Sequence, residues 1–137
     1  MLPTIQLQDR LVVDMVSYKL SGINRGDIIV FNPPKNVDNP TGDHWIKRVI
    51  GLPGDTIQIK DDKVFINGKA LTESYEMEKP NYTYGPLVIP KDSYFVLGDN
   101  RNDSEDSHYW GVLPVENIVG RALFRYWPLE HFGMLAK

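Results

Sequence analysis

The chain predicts an all-β fold of mostly antiparallel strands, barrel-like or sandwich in arrangement, with at most short helical turns. Three observations carry that reading. Short β-branched apolar runs recur from end to end of the sequence. Its 11 glycines and 10 prolines fall mostly between those runs, where they punctuate turns. Thr56-Ile57-Gln58-Ile59-Lys60 alternates with period two, as a half-buried strand does.

The elements follow in order. Leu11-Val12-Val13 and Ile28-Ile29-Val30-Phe31 read as the first two strands. Arg25-Gly26-Asp27 is the turn before the second; it spells an integrin-binding tripeptide, but glycine ahead of an apolar run is ordinary turn chemistry. Asn32 to Gly42 holds three prolines, three asparagines and an aspartate and reads as a loop. Trp45 to Ile50 returns to strand, and Gly51-Leu52-Pro53-Gly54-Asp55 closes it with a turn. Asp61-Asp62 is a tight turn after the alternating strand. Val64-Phe65-Ile66, Asn67-Gly68 and Lys69-Ala70-Leu71 form the strongest hairpin signal, because Asn-Gly suits a type I′ turn. Thr72 to Pro86 is polar and tyrosine-rich, an irregular excursion. Leu87-Val88-Ile89, Tyr94 to Leu97 and Ile118 to Trp127 complete the strands, with one helical turn at Val115 to Ile118.

The bulk numbers bound the function classes. A chain of 137 residues is long enough for a hydrophobic core in one domain. Its net charge of −3 and its lack of a basic run argue against nucleic acid as a partner. Without cysteine there is no disulfide or thiolate chemistry. No stretch approaches the roughly 18 apolar residues of a membrane span, and Met1-Leu2-Pro3-Thr4 lacks the basic start and apolar run of a signal peptide.

Two segments concentrate candidate chemistry. In Trp45-Ile46-Lys47-Arg48-Val49-Ile50, one lysine stands in an apolar run. Burial there would disfavour its charge and make it a general base. Strand alternation places Lys47 with Trp45 and Val49 on the inward face and leaves Arg48 in solvent. A solvated lysine at a strand edge is the plainer reading of the same residues. The second segment is Gly98-Asp99-Asn100-Arg101-Asn102-Asp103-Ser104-Glu105-Asp106-Ser107-His108. It is no EF-hand loop: Arg101 would occupy a ligand position, Ser104 the glycine position and Trp110 the glutamate position. Ser104, Ser107 and Asp106 lie close to His108, yet triad members converge from separate elements and no Gly-x-Ser-x-Gly elbow is present. His44, His108 and His131 have no metal-ligand spacing and there is no cysteine, which argues against a zinc site. Asn81-Tyr82-Thr83 and Asn102-Asp103-Ser104 match the glycosylation pattern, which arises often by chance.

These two segments, with the opening Met1-Leu2-Pro3-Thr4, resemble the type I signal peptidases, membrane-bound serine proteases that use lysine as the base. The resemblance runs from Met1 to about Trp127. It implies that Lys47 is the base and that Ser104 hydrogen-bonds its amine. It implies that Asp106 makes a supporting ion pair, with His108 as a candidate partner, and that Asp99 and Arg101 hold the loop shape. It further implies that Met1, Ile5, Leu11 and Ile46 lie at the substrate, the last three lining shallow pockets for small residues of an Ala-x-Ala signal peptide. In that family the nucleophilic serine stands directly before the Met-x-Pro-Thr stretch. The 137 residues are therefore expected to be one extracytoplasmic catalytic domain, inactive by itself because the serine and the membrane anchor are absent from it. A periplasmic or outer face of a plasma membrane and a thylakoid lumen both fit, with the lipid surface, met by apolar residues such as Trp127, as a second partner. The alternatives are a self-cleaving repressor-type serine-lysine protease domain and a non-catalytic β binding module.

Overall fold

The computed structural model describes residues 10–15, 18–73, 79–127 and 133–134. Among the described residues eleven strands fall in two sheets, and every pairing is antiparallel. The larger sheet takes β1 (Arg10–Asp14), β2 (Ile28–Phe31), β3 (Trp45–Gly51), β8 (Ser93–Leu97), β9 (Leu113–Pro114) and β10 (Ile118–Trp127) in the order β1-β10-β2-β3-β8-β9, with β11 (Gly133–Met134) beside β10. The smaller sheet is β6-β5-β4-β7, from β4 (Thr56–Lys60), β5 (Lys63–Ile66), β6 (Lys69–Ala70) and β7 (Tyr84–Val88). Among the described residues, helix is limited to single turns: α1 (Tyr18–Ser21), α2 (Ser107–Trp110) and a 3-10 turn at Val115–Asn117. The predicted all-β class is the one observed.

Local chemistry accounts for the turns. Asp61 and Asp62 have φ of 51° and 62°, and Asn67 and Gly68 have 53° and 83°. Two consecutive left-handed residues give the twist that joins antiparallel strands without splaying them. The two hairpins β4-β5 and β5-β6 follow from those turns. Two boundaries differ from the sequence reading. Tyr84, Gly85 and Pro86 belong to β7, so the irregular excursion ends at Thr83. Ser107–Trp110 is helical, and Asp106 caps it by accepting from the His108 N–H; four residues carry too little periodicity to be read as a helix.

Strand β3 divides two apolar clusters. Ile50 packs with Ile57, Ile59, Val64, Phe95 and Leu97 in one. Val49 packs with Ile29, Phe31, Val96 and Leu113 in the other, against which Trp45 lies half-buried. Residues of opposite parity on β3 thus serve opposite sides, which sets up the site.

Candidate active site

Lys47 follows Trp45 and precedes Val49 on one face of β3, as alternation requires. Its Nζ donates to the Ser104 Oγ at 3.0 Å, joining residues 57 apart in sequence. Burial pushes the Lys47 amine below its ordinary value, against the opposing pull of the Asp106, Glu105 and Asp103 carboxylates. The cleft in front of this pair encloses about 660 Å³ and is lined by Asn102, Asp103, Glu105, Tyr109 and Trp110 as well. A smaller recess of about 310 Å³, on the side of His44, Trp45 and Ile46, also borders Lys47.

Gly98 lets the pair form. A Cβ built on it would stand 2.2 Å from the Ser104 Oγ and 3.7 Å from the Lys47 Nζ. Any side chain here would displace the serine. The Gly98 N–H donates to Asp106 at 3.0 Å, and its carbonyl accepts from the Arg101 Nε at 2.9 Å. Asp106 also contacts the His108 Nδ1. The His108 ring stacks on Tyr82 with centroids 3.9 Å apart and planes 10° apart. Arg101 closes a two-point pair with Glu73, its Nη1 donating to Oε1 at 2.7 Å.

The structure corrects the reading of Arg48. It does not stand in solvent: both Arg48 and Asp99 have fully buried side chains. Its Nε and Nη2 donate to the two Asp99 oxygens at 2.9 and 2.8 Å, and its Nη1 donates to the Gly26 carbonyl at 3.0 Å. A planar guanidinium meeting a carboxylate at two points satisfies both groups, so the charge is tolerated inside. Asp99 thus pairs with Arg48, Arg101 with Glu73 and the Gly98 carbonyl, Ser104 with Lys47, and Asp106 with His108 and the Gly98 N–H. Ile46 lines the smaller recess. Met1 and Ile5 lie outside the described residues. Leu11 is placed in β1 opposite Arg125, but its side chain and that of Trp127 lie outside the described residues. Ser104 bonds Lys47, and the Ser107 Oγ accepts from the Val96 N–H; among the described hydrogen bonds neither serine engages His108 as a triad would. Glu73 and Tyr82 were not legible as site residues, since nothing local marks a partner 28 residues away.

Comparison with known proteins decides the family. Residues 1–127 match the family described as "Signal peptidase, peptidase S26". This chain belongs to that family. Signal peptidase I of Leptolyngbya laminosa is 50% identical, the alignment covering 98% of this chain and 68% of the relative. The chloroplastic thylakoidal processing peptidase 1 of Arabidopsis thaliana is 42% identical over 93% of this chain and 39% of its own length. The crystal structure of a signal peptidase I from Enterococcus faecalis superposes with a TM-score of 0.61 at 35% identity, covering 72% of this chain and 95% of that one. The activity that accompanies these relationships is removal of signal peptides by a serine protease, a hydrolase. Among the described residues no helix is long and apolar enough to cross a membrane.

Proposed function

We propose that Lys47 is the general base of this signal peptidase and that Ser104 orients it. The observation that carries the proposal is the bond from the Lys47 Nζ to the Ser104 Oγ at 3.0 Å in a setting that disfavours the ammonium. A neutral amine has two N–H donors and one lone pair. Giving one N–H to Ser104 fixes the direction of the lone pair, which is what proton abstraction needs. The nucleophile is a serine directly ahead of Met1, as the family resemblance implies. Its hydroxyl proton passes to Lys47 while its oxygen attacks the carbonyl carbon of the scissile peptide. The protonated lysine returns that proton to the leaving amine, and an acyl-enzyme remains. Lys47 then takes a proton from water as the water oxygen attacks the ester carbon, and gives that proton to the serine oxygen as the ester C–O bond breaks, which frees the signal peptide with a new carboxyl terminus and restores the neutral amine. The reaction needs no metal or cofactor.

The Ile46 side of the site takes the residues before the cut, and the small recess bordered by Trp45 and Ile46 favours the small side chains of an Ala-x-Ala sequence. The parent protein is held at a membrane with this domain on the extracytoplasmic or lumenal face, close to lipid. Residues 1–137 act as one catalytic domain.

The test is preprotein cleavage by the full-length gene product. Lys47→Ala is expected to lower kcat by about 10²–10⁴-fold. Lys47→Arg keeps the charge but never gives up its proton, so it should be equally inactive. Full cleavage by either variant would remove Lys47 as the base and favour a binding module or a different catalytic centre.

A further inference from the structure

Both backbone polar groups of Gly98 are held by side chains, and both of those side chains are backed by one remote stretch of chain. The carbonyl accepts from the Arg101 Nε, and Glu73 grips the far end of the same guanidinium. The Arg101 side chain is fully buried and that of Glu73 is 3% exposed. The Gly98 N–H donates to Asp106, which bears on His108, whose ring lies flat against Tyr82. Between Glu73 and Tyr82 in sequence, two further bonds tie the stretch to the loop. The Asn102 Nδ2 donates to the Lys79 carbonyl at 3.0 Å, and the Asn81 N–H donates to the Asn102 Oδ1 at 2.8 Å. None of these groups touches the Lys47 amine, but Gly98 is the surface on which the Ser104 hydroxyl and that amine meet.

We propose that Glu73 and Tyr82 are positioning residues for the lysine base: Glu73 through Arg101, and Tyr82 through His108 and Asp106, fix Gly98 and so set the Lys47–Ser104 contact. The proposal rests on Lys47 being the base. Tyr82 works through its ring face, because its hydroxyl is buried without a hydrogen-bond partner among the described residues. A carboxylate is needed at position 73, because only a planar two-oxygen acceptor matches the guanidinium at both ends.

The experiment measures kcat and KM for preprotein cleavage by the full-length gene product, at temperatures well below each variant's melting point. Tyr82→Ala and Glu73→Gln should lower kcat by about tenfold with KM within about twofold, since small displacements of a catalytic group cost rate rather than binding. Tyr82→Phe should keep the parent kcat, and Glu73→Asp should recover part of it. A residue that only stabilised the fold would lower the melting temperature and leave kcat of the folded enzyme unchanged; that result would overturn the proposal. So would a Tyr82→Phe enzyme as slow as Tyr82→Ala. If Glu73→Gln leaves Arg101 too poorly compensated to fold, the Tyr82 variants decide alone. Lys47→Ala is run alongside. Its loss of activity with the Tyr82 and Glu73 variants unimpaired overturns the positioning claim only, whereas its full activity overturns both readings.

Discussion

Lys47 and Arg48 are consecutive cations on β3, and the two faces of that strand treat them in opposite ways. Arg48 meets a carboxylate at two points and a backbone carbonyl at a third, so it is held as a cation inside the protein. Lys47 has a hydroxyl as its hydrogen-bond partner and acidic groups only at longer range, so burial outweighs their attraction and lowers its proton affinity. The difference lies in the partner more than in the burial. A matched counter-ion makes a buried cation structural, and a neutral partner makes it a candidate base. The same loop supplies both partners, Asp99 to one face and Ser104 to the other. The ion pair therefore anchors the segment that carries Ser104.

The sharpest way to break this contrast is to remove the structural cation. Arg48→Met takes the guanidinium away from the buried Asp99 carboxylate and is expected to lower stability by about 3–5 kcal/mol, read by chemical denaturation. Adding Asp99→Leu should return much of that loss, because an apolar pair carries no uncompensated charge. A single Arg48→Met variant as stable as the parent would show that the pair does not hold the loop.

The next effect falls where the two faces meet. Gly98→Ala puts a methyl group onto the Ser104 Oγ and must move either the serine or the loop. Cleavage by the full-length gene product should drop about 10²-fold, with a stability loss of about 1–3 kcal/mol from overpacking. Retained cleavage would mean that the Lys47–Ser104 contact is dispensable.

Much of this architecture is legible in the sequence, and the illegible part has a consistent cause. The hairpins could be read because Asn67-Gly68 and Asp61-Asp62 adopt backbone conformations that few other residues accept. The inward direction of Lys47 could be read because side chains alternate along a strand. Arg48 was misread by the same rule: alternation gives a direction, but β3 is covered on both sides, so outward along the pleat is not toward water. Its partner Asp99 lies 51 residues away, and no local pattern announces it. The site residues Ser104, Asp99, Arg101 and Asp106 came from resemblance to a family rather than from their own pattern. Glu73 has neither a motif nor a neighbour to mark it, and only the fold brings it to Arg101.

The smallest expected effect tests the other half of the contrast. Lys47→Met removes the amine while keeping an unbranched side chain. A buried cation without a matched counter-ion contributes little to stability, so the variant should be neutral or about 1 kcal/mol more stable than the parent near neutral pH. The pH dependence gives the sign independently. The folded protein releases the Lys47 proton below the ordinary value of 10.5, while the unfolded chain still binds it. Between the lowered value and 10.5 the unfolded state therefore holds more protons, and this residue makes stability rise with pH across that window. Below the lowered value both states are protonated and the slope from this residue vanishes. Denaturation of parent and Lys47→Met across the alkaline range should thus show the stabilising advantage of methionine shrinking as pH rises. A constant difference at all pH values would mean that the amine titrates as it does in water, and the two cations of β3 would then be alike.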